Sequence, residues 1–536
     1  MASDSVDVEK TAEAGTCSFQ LNDVDIKNKS TNAMYEVQQQ RTPASFSTWN
    51  KLRELNRRIE SLSGFEARGI TRVLPEERNT PSLWDDVSVA LLWFSANISV
   101  NNLAVGLFGP LVFHLGFVDS ALLAVFGALL GALSTAYMSM WGPQSGHRTM
   151  VVLRFFMGYW PAKLPTALNI ILMIGYCTID AIIGGQILSA VNGGSLSIVV
   201  GIIVVQIISW VVAVFGMKFF HYYERFAWIP QLLALFVLIG CAGPSFDISA
   251  QSVGGPAIIA ANRLSFLSLC LYVPNSWGAA AADFYVYYPE KTSKLKIFTM
   301  TLVGLWLSFA LVFLLGIGFA TGLTRNADWA HAADISTGAL LVAGYGPLGG
   351  FGGFCAVILA LGVVSNSIPG TYSAALGCQV LMGRHGQAVP RWLWSCVLIV
   401  VELVLALAGR EVLFPIISNF VALMGYWIEF MVFIVLIEHY FFFSSSGLRP
   451  SSVGNDKKTL DWSRWEDGSY LPIGYAALTS FLLGWVGAVL GMYQVWFTGP
   501  LALLAGPADV GLWVGTGFTI ISYIPLRWLE LKVVGR

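Results

Sequence analysis

Charged residues are scarce in this sequence. Only 12% of its 536 residues are Asp, Glu, Lys or Arg, while 55% are hydrophobic, and the mean hydropathy is +0.65. A soluble globular protein of this length needs a more polar surface, so the composition excludes that class and indicates a polytopic membrane protein. The formal net charge is −1, which argues against nucleic acid as a partner because it offers no positive excess for phosphates.

Cysteine and histidine lack the spacing that metal or redox chemistry requires. The seven cysteines are scattered, mostly within apolar segments, and they form no CxxC or Cys/His pattern and no legible disulfide framework. No Ser/His/Asp constellation gathers on neighbouring segments. We therefore expect no metal, no cofactor and no enzymatic activity. The N-terminus also lacks the charged-then-apolar pattern of a signal peptide.

Long apolar runs dominate the rest of the chain, and each is long enough to be a candidate transmembrane helix. They predict an all-α protein with twelve spans. The windows lie near residues 87–113, 116–140, 165–191, 196–216, 227–244, 264–284, 297–320, 349–380, 392–408, 412–437, 472–493 and 510–529.

The distribution of basic residues supports the count of twelve. Of the 31 Lys and Arg residues, 17 lie in the loops after even-numbered spans and at the C-terminal end, three lie in the loops after odd-numbered spans, and 11 lie in the N-terminal tail. Because cytoplasmic loops carry the excess of Lys and Arg, both termini are predicted to be cytoplasmic. The predicted divisions are a tail at 1–82, spans 1–5 at 83–245, spans 6–10 at 263–440, a cytoplasmic loop at 441–471, and spans 11 and 12 with a short cytoplasmic end at 472–536.

Span 3 carries a carboxylate near its middle, in the stretch Leu168–Val191. An ionisable residue at that depth costs roughly 2.5–3.5 kcal/mol and normally faces a cavity, a partner or a substrate. Tyr176 and Gly184 lie four residues before and after Asp180, so the three share one helix face. The pattern favours the wall of a small-molecule site; a structural Asp bonded to a neighbouring helix is the alternative.

Two spans are interrupted in corresponding places. Span 1 has Asn97, Asn101 and Asn102 before Gly106 and Pro110, and span 6 has Pro274, Asn275 and Gly278 near its middle. Non-helical backbone at membrane depth is tolerated where it lines a cavity or is buried in protein. Paired breaks indicate an inverted-repeat transporter with spans 1–5 matching spans 6–10 and its site at the midplane. Two unrelated proline kinks are the alternative.

Span 8 contains a polar, proline-kinked stretch. Asn366 and Gly370 share a face, Ser367 lies beside them, and Pro369 frees a backbone carbonyl one turn upstream. Because span 8 is the partner of span 3 in the predicted repeat, we expect this stretch at the same site. Close helix packing through small residues is the alternative.

At these residues the chain resembles the fungal purine–cytosine permeases of the nucleobase:cation symporter-1 (NCS1) family. The resemblance rests on WFSAN in span 1, GGQILSAVN in span 3, SWGAAAADFYVYYPE in span 6 and IPGTYSAALGCQ in span 8. It implies a LeuT-like fold of five plus five inverted spans, here followed by two C-terminal helices. It also implies proton-coupled import of nucleobases across the plasma membrane.

The resemblance further implies a ring stacked between an aromatic of span 3 and a Trp of span 6, with amides of spans 3 and 8 reading its edge. Trp277 matches the span 6 Trp, and Asn366 matches the first of a usual Asn pair. Four positions depart from the pattern, in that Trp, Asn, Asn and Asn are usual at Tyr176, Asp180, Ser367 and Gly370.

These departures change the expected chemistry. Tyr still stacks, but an ionised Asp only accepts hydrogen bonds, whereas Asn also donates them. Asp180 would therefore favour a donor-rich edge or a positively charged ring, and Gly370 would leave room for a bulkier substituent. The predicted substrate-binding residues are Asn101, Asn102, Tyr176, Asp180, Trp277, Asn366, Ser367 and Gly370.

The leading hypothesis is a secondary active transporter that imports purine nucleobases and cytosine with protons by alternating access. Asp180 and Glu429 are the candidate proton carriers, Glu402 and Asp283 are further acids of the membrane part, and sodium coupling stays open. Uptake of vitamin B6 or another cationic heteroaromatic is the second hypothesis, since a sister branch carries that vitamin. A non-transporting nutrient receptor on a carrier fold is the third.

Overall fold

The computed structural model describes residues 69–78, 81–215, 217–444 and 460–536. Nearly all of these residues are helical or lie in short connections between helices. Most of the predicted tail at 1–82 and part of the predicted loop at 441–471 lie outside the described residues. The five domain boundaries therefore stay predictions.

Each of the twelve apolar windows contains a helix, which takes the number of its window. Helix 1 has two parts, 1a and 1b. The bounds are Leu83–Asn97 (1a), Leu103–Leu111 (1b), Phe117–Ser139 (2), Lys163–Val191 (3), Ile198–Phe215 (4), Met217–Ala242 (5), Pro256–Ser276 (6), Lys294–Gly322 (7), Gly349–Met382 (8), Arg391–Gly409 (9), Leu413–Ile437 (10), Tyr475–Gly491 (11) and Gly511–Val534 (12).

Shorter elements join these helices. A two-stranded antiparallel hairpin, β1 (Tyr493–Gln494) and β2 (Phe497–Thr498), lies between helices 11 and 12. The short α-helices are Trp141–Ser145, Thr149–Met157, Ala327–Ile335, Thr337–Gly344, Arg384–Ala388 and Pro500–Leu504.

Length and apolar composition mark eight helices of the described residues as able to cross a bilayer, or nine when the two parts of helix 1 count as one span. Helices 4 and 11 are apolar but shorter, over Ile198–Ala213 and Tyr475–Gly491. The helical membrane architecture predicted from composition is thus present, while the number twelve and the five-plus-five repeat stay predictions.

Helix 1 breaks where the sequence predicts it. The two parts, Asp86–Asn97 and Val100–Leu111, are bent by 49° relative to each other. Helix 1b then packs against helix 7 with the two backbones in contact. A Cβ atom on Gly106 would overlap the carbonyl of Phe313, and a Cβ atom on Gly316 would overlap the carbonyl of Leu103. Small residues permit this backbone contact.

Helix 6 is also interrupted within the predicted stretch. It continues through Pro274 to Ser276, and only then gives way to 3₁₀ turns at Trp277–Ala279 and Ala281–Phe284. The break therefore falls within the predicted stretch from Pro274 to Gly278, at its C-terminal end. At this helix end the Thr135 hydroxyl of helix 2 donates to the carbonyls of Pro274 and Asn275 at 2.7 and 3.4 Å, and so satisfies acceptors that have no intrahelical donor.

Candidate binding site between helices 1, 3, 6 and 8

Side-chain amides hold the break in helix 1. Carbonyls at the end of a helix lack intrahelical donors, and two of them find amide donors here. Asn366 Nδ2 of helix 8 donates to the Ala96 carbonyl at 2.7 Å, and Asn102 Nδ2 donates to the Asn97 carbonyl at 3.1 Å. The break is thus tied to helix 8 by a residue predicted to contact substrate.

Asp180 lies at the meeting point of three helices and is fully buried. Its Oδ1 accepts from Asn101 Nδ2 at 2.5 Å, and its Oδ2 accepts from Ser367 Oγ at 3.0 Å. Asn101 Nδ2 also lies 3.4 Å from Asn366 Oδ1. The predicted polar residues of spans 1, 3 and 8 therefore form one connected cluster, and among the described residues no Lys or Arg forms an ion pair with Asp180.

A cavity of about 330 Å³ lies beside this cluster, and we call it the aromatic cavity. Its lining consists of aromatic rings, amides and small or thioether side chains, namely Asn97, Asn102, Met173, Tyr176, Cys177, Val273, Ser276, Trp277, Phe309, Asn366 and Gly370.

Two aromatic residues predicted from the sequence lie on the cavity wall and are held from behind. Trp277 Nε1 donates to Asn97 Oδ1 at 2.8 Å, and its ring meets that of Trp93 edge-on at 5.9 Å. The Tyr176 ring meets the Phe420 ring edge-on at 5.8 Å. These contacts fix the orientation of both rings, which is what a stacking site requires.

The structure divides the predicted substrate-binding residues into two groups. Asn102, Tyr176, Trp277, Asn366 and Gly370 line the aromatic cavity, whereas Asn101, Asp180 and Ser367 do not. These three form the hydrogen-bonded layer directly behind Asn366. In this conformation Asp180 is connected to the cavity wall through Asn101, whose amide nitrogen is within hydrogen-bond distance of both Asp180 and Asn366.

Gly370 lines the aromatic cavity at a close approach of helices 3 and 8. A Cβ atom at this position would lie 2.8 Å from Cys177 Sγ of helix 3. The missing side chain therefore allows helices 3 and 8 to approach each other, and the extra room for a substrate substituent stays a prediction.

Six wall residues were not predicted as binding residues, and two of them show what the sequence could and could not signal. Phe309 belongs to helix 7, and Asn97 is the last residue of helix 1a. Asn97 stands in the WFSAN motif, so the motif carried a signal for it. Phe309 lies in an uninterrupted apolar run, where sequence alone does not separate a cavity-lining ring from a core or lipid-facing one.

The other acids of the membrane part lie away from the cavity wall. Glu429 of helix 10 accepts from Ser134 Oγ of helix 2 at 2.8 Å. Asp283 Oδ1 accepts from the backbone N–H and hydroxyl of Thr149 at 2.7 and 3.1 Å. Glu402 of helix 9 is fully buried and accepts from the Thr371 hydroxyl at 3.2 Å.

A larger cavity, of about 520 Å³, lies between the end of helix 10, helix 12 and residues 460–472. Its charged groups already satisfy one another, because Arg527 pairs with Glu438 at 2.8 Å and with Glu530 at 3.1 Å. Since a paired cluster offers few groups to a ligand, we take the smaller aromatic cavity as the candidate site.

Solved structures share this fold. The chain superposes on Mhp1, an NCS1 transporter in a closed conformation with bromovinylhydantoin bound, with a TM-score of 0.64 and 13% identity, over 87% of this chain and 95% of that one. The inward-facing conformation of Mhp1 gives a TM-score of 0.60 with 13% identity, over 87% and 96%. At this identity the likeness establishes the fold, which is that of a helical membrane transporter.

Sequence relatives are more similar. The vitamin B6 transporter TPN1 of Saccharomyces cerevisiae is 33% identical over 530 residues, covering 91% of each chain. The purine-cytosine permease fcyB of Emericella nidulans is 34% identical over 493 residues, covering 91% of this chain and 93% of that one. The purine-cytosine permease FCY2 of S. cerevisiae is 31% identical over 479 residues, covering 88% and 87%.

The model of the family described as permeases for cytosine/purines, uracil, thiamine and allantoin matches residues 73–515. That match covers nearly all of the described chain and confirms the resemblance drawn from the motifs. The members compared above are transporters rather than enzymes. The chain therefore belongs to this family of membrane permeases.

Proposed function

We propose that this protein imports a flat nitrogen-containing heteroaromatic molecule into the cytosol together with protons, with purine nucleobases and cytosine as the first substrate class. The observation that carries the proposal is the aromatic cavity, whose wall combines the rings of Tyr176 and Trp277 with the amides of Asn102 and Asn366. The family description and the purine-cytosine permeases among the relatives support this class.

The cavity suits such a ring for two physical reasons. An offset or edge-on aromatic contact contributes roughly 0.5–1.5 kcal/mol beyond buried area. An amide presents both a donor and an acceptor to the ring edge. The Asn366 amide donates one N–H to the Ala96 carbonyl and accepts one long hydrogen bond from Asn101. Its second N–H and a second acceptor position on its oxygen therefore remain for a substrate.

Vitamin B6 is the second candidate, and Asp180 favours it. This buried carboxylate has no bonded cation among the described residues, and a negative charge in a low-dielectric surrounding attracts a positive ring strongly. A protonated pyridine provides such a ring. The vitamin B6 transporter among the relatives, 33% identical over 91% of the chain, supports this alternative.

The proposed transport cycle is alternating access around the aromatic cavity, with both termini in the cytoplasm. The excess of Lys and Arg in the loops after even-numbered spans supports this orientation, and the kinship with permeases supports the plasma membrane. The break in helix 1 gives the cycle a hinge, because few backbone hydrogen bonds cross it.

Uptake by cells that lack their own nucleobase and vitamin B6 carriers tests the proposal. We expect accumulation of at least one of cytosine, adenine, guanine, hypoxanthine or pyridoxine, and mutual competition among those that bind. Accumulation should persist when choline replaces sodium and collapse when a protonophore is added. Trp277→Ala should abolish uptake, while the matched Trp496→Ala, at an exposed hairpin position, should not.

Several outcomes would contradict the proposal. Binding without accumulation would indicate a receptor. Uptake that requires sodium and ignores the protonophore would replace the proton as the coupling ion. Failure of every compound in the panel, with the protein present at the cell surface, would reject the substrate class.

A further inference from the structure

A second buried carboxyl group lies behind the candidate site, on helix 9. This helix is peripheral: Val397, Val400 and Val404 are 49–59% exposed. Its buried residues form a single stripe, Arg391, Ser395, Leu398, Glu402, Ala406 and Gly409. Glu402 is the only acid of that stripe and is 0% exposed, at a place where an apolar residue would suffice for packing.

Hydrogen-bonding groups connect Glu402 to the candidate site. The Thr371 hydroxyl of helix 8 lies 3.2 and 3.4 Å from the two oxygens of Glu402. Cys177 Sγ lies 3.5 Å from that hydroxyl and 3.4 Å from the Ser367 carbonyl. Ser367 Oγ in turn donates to Asp180 at 3.0 Å, and Cys177 itself lines the aromatic cavity.

The charges around Glu402 are negative or absent. Helices 3, 4 and 8 pack against helix 9. Helix 3 presents Cys177 and Asp180, helix 8 presents Thr371, and the sequence of helix 4 contains no charged residue. The basic residues of the helix 9 region, Arg391 and Arg410, are 11 and eight positions away, or roughly 16 and 12 Å along a helix.

Two carboxyl groups in this arrangement do not both stay ionised at low cost. Like charges repel strongly when water is excluded, so a shared site with two carboxyls retains a proton on one of them. The Thr371 hydroxyl and the Cys177 thiol lie on the path from Glu402 to Asp180, and both groups donate and accept hydrogen bonds. We propose that Glu402 and Asp180 together form the binding site of the co-transported proton, with Glu402 holding it behind the substrate cavity.

This inference rests on the proposed function and adds where the co-transported proton binds. It also differs from the sequence prediction, which placed proton coupling at Asp180 and Glu429. Glu429 accepts a hydrogen bond from Ser134 of helix 2 and has no such hydrogen-bonded connection to the cavity among the described residues.

Glu402→Gln in the full-length protein tests the inference, because the amide keeps the size of the side chain but cannot release a proton. The probe is whichever of cytosine, adenine and pyridoxine the wild type accumulates. One pH unit supports about tenfold accumulation per proton. We expect the variant to accumulate the probe at least about tenfold less and to lose the acceleration of uptake at acidic external pH, while exchange of labelled for unlabelled probe stays within about twofold of wild type.

Two further variants separate coupling from architecture. Glu402→Asp retains a carboxyl group and should restore pH-dependent uptake. Ser395→Ala changes another buried polar residue of the same stripe, which bonds only the Arg391 carbonyl at 3.3 Å, and should leave coupling intact. Surface amounts are measured for each variant, and proton entry upon probe addition is followed in vesicles holding purified protein.

The inference is overturned if Glu402→Gln keeps wild-type accumulation and proton entry, or if exchange and accumulation fall together in both Gln and Asp variants. The second result would show a structural role for the Thr371 contact. A wild type that accumulates none of the probes rejects the proposed function instead, and the two failures are therefore distinguishable.

Discussion

The two interruptions of the helical membrane part are built differently. At the break in helix 1, the carbonyls of Ala96 and Asn97 accept hydrogen bonds from side-chain amides that line the aromatic cavity. At the end of helix 6, the carbonyls of Pro274 and Asn275 accept hydrogen bonds from the hydroxyl of Thr135, and Thr135 does not line the aromatic cavity. The first break therefore depends on groups that a substrate would also use, whereas the second is a fixed support for Trp277.

Asn366→Ala, which disrupts the break in helix 1, should have the largest effect on uptake. It leaves the Ala96 carbonyl without its donor, and an unsatisfied buried group costs about 1–3 kcal/mol. With the loss of a substrate contact added, we expect kcat/KM for uptake to fall about 100-fold. Asn262→Ala is the matched control, since that amide also donates to a carbonyl, Phe113 O at 2.9 Å, but outside the cavity. Equal losses in the two variants would contradict the assignment.

Asp180→Asn should sharpen the comparison by changing charge without changing shape. Charge-assisted hydrogen bonds are roughly twice as strong as neutral ones, and Asp180 accepts bonds from helices 1 and 8. We expect the preference for pyridoxine over cytosine, measured as a ratio of kcat/KM values, to fall about tenfold. An unchanged ratio would show that Asp180 does not contribute to substrate selection.

Thr135→Val tests the helix 6 side. The substitution removes the donor to the Pro274 and Asn275 carbonyls while keeping a branched side chain of similar volume. We expect a stability loss of about 1–3 kcal/mol, seen as a lower melting temperature in detergent, with the KM of the remaining transporter within about threefold of wild type. A large change in KM at normal stability would mean that the helix 6 end is also part of the recognition machinery.

Glu429→Gln should have the smallest effect. The Ser134 hydroxyl can bond an amide oxygen as well as a carboxylate oxygen, and Glu429 does not line the aromatic cavity. We expect initial uptake rates and their pH dependence to change less than about twofold. Loss of pH dependence here, with Glu402→Gln unaffected, would return proton coupling to the position predicted from the sequence.

The sequence predicted those features that local chemistry determines. Lipid requires long apolar runs, so the helices were legible from composition. The amide-rich break of helix 1, the acid of helix 3 and the Trp of helix 6 were legible because polar or kinked residues are costly at membrane depth. The family resemblance then indicated which of these residues face one another.

The remaining features depend on partners far away in sequence. Helix 6 continues past Pro274 to an end where Thr135, 139 positions earlier in the sequence, donates a hydrogen bond to the Pro274 carbonyl. Phe309 lines the aromatic cavity and Phe420 supports Tyr176, although both lie in apolar runs without any distinguishing signal. The placement of Asp180 behind the wall and the connection of Glu402 to it likewise follow only from how helices 1, 3, 8 and 9 pack.

The backbone contact between helix 1b and helix 7 has a mechanical consequence. Because Gly106 and Gly316 leave no side chain between the two backbones, helices 1b and 7 are in direct backbone contact, and we expect them to move together. Helix 7 also carries Phe309, one face of the aromatic cavity. We therefore expect a movement of helix 1b about the bend to displace Phe309 as well, which would couple any widening on the helix 1 side to a rearrangement of the opposite wall.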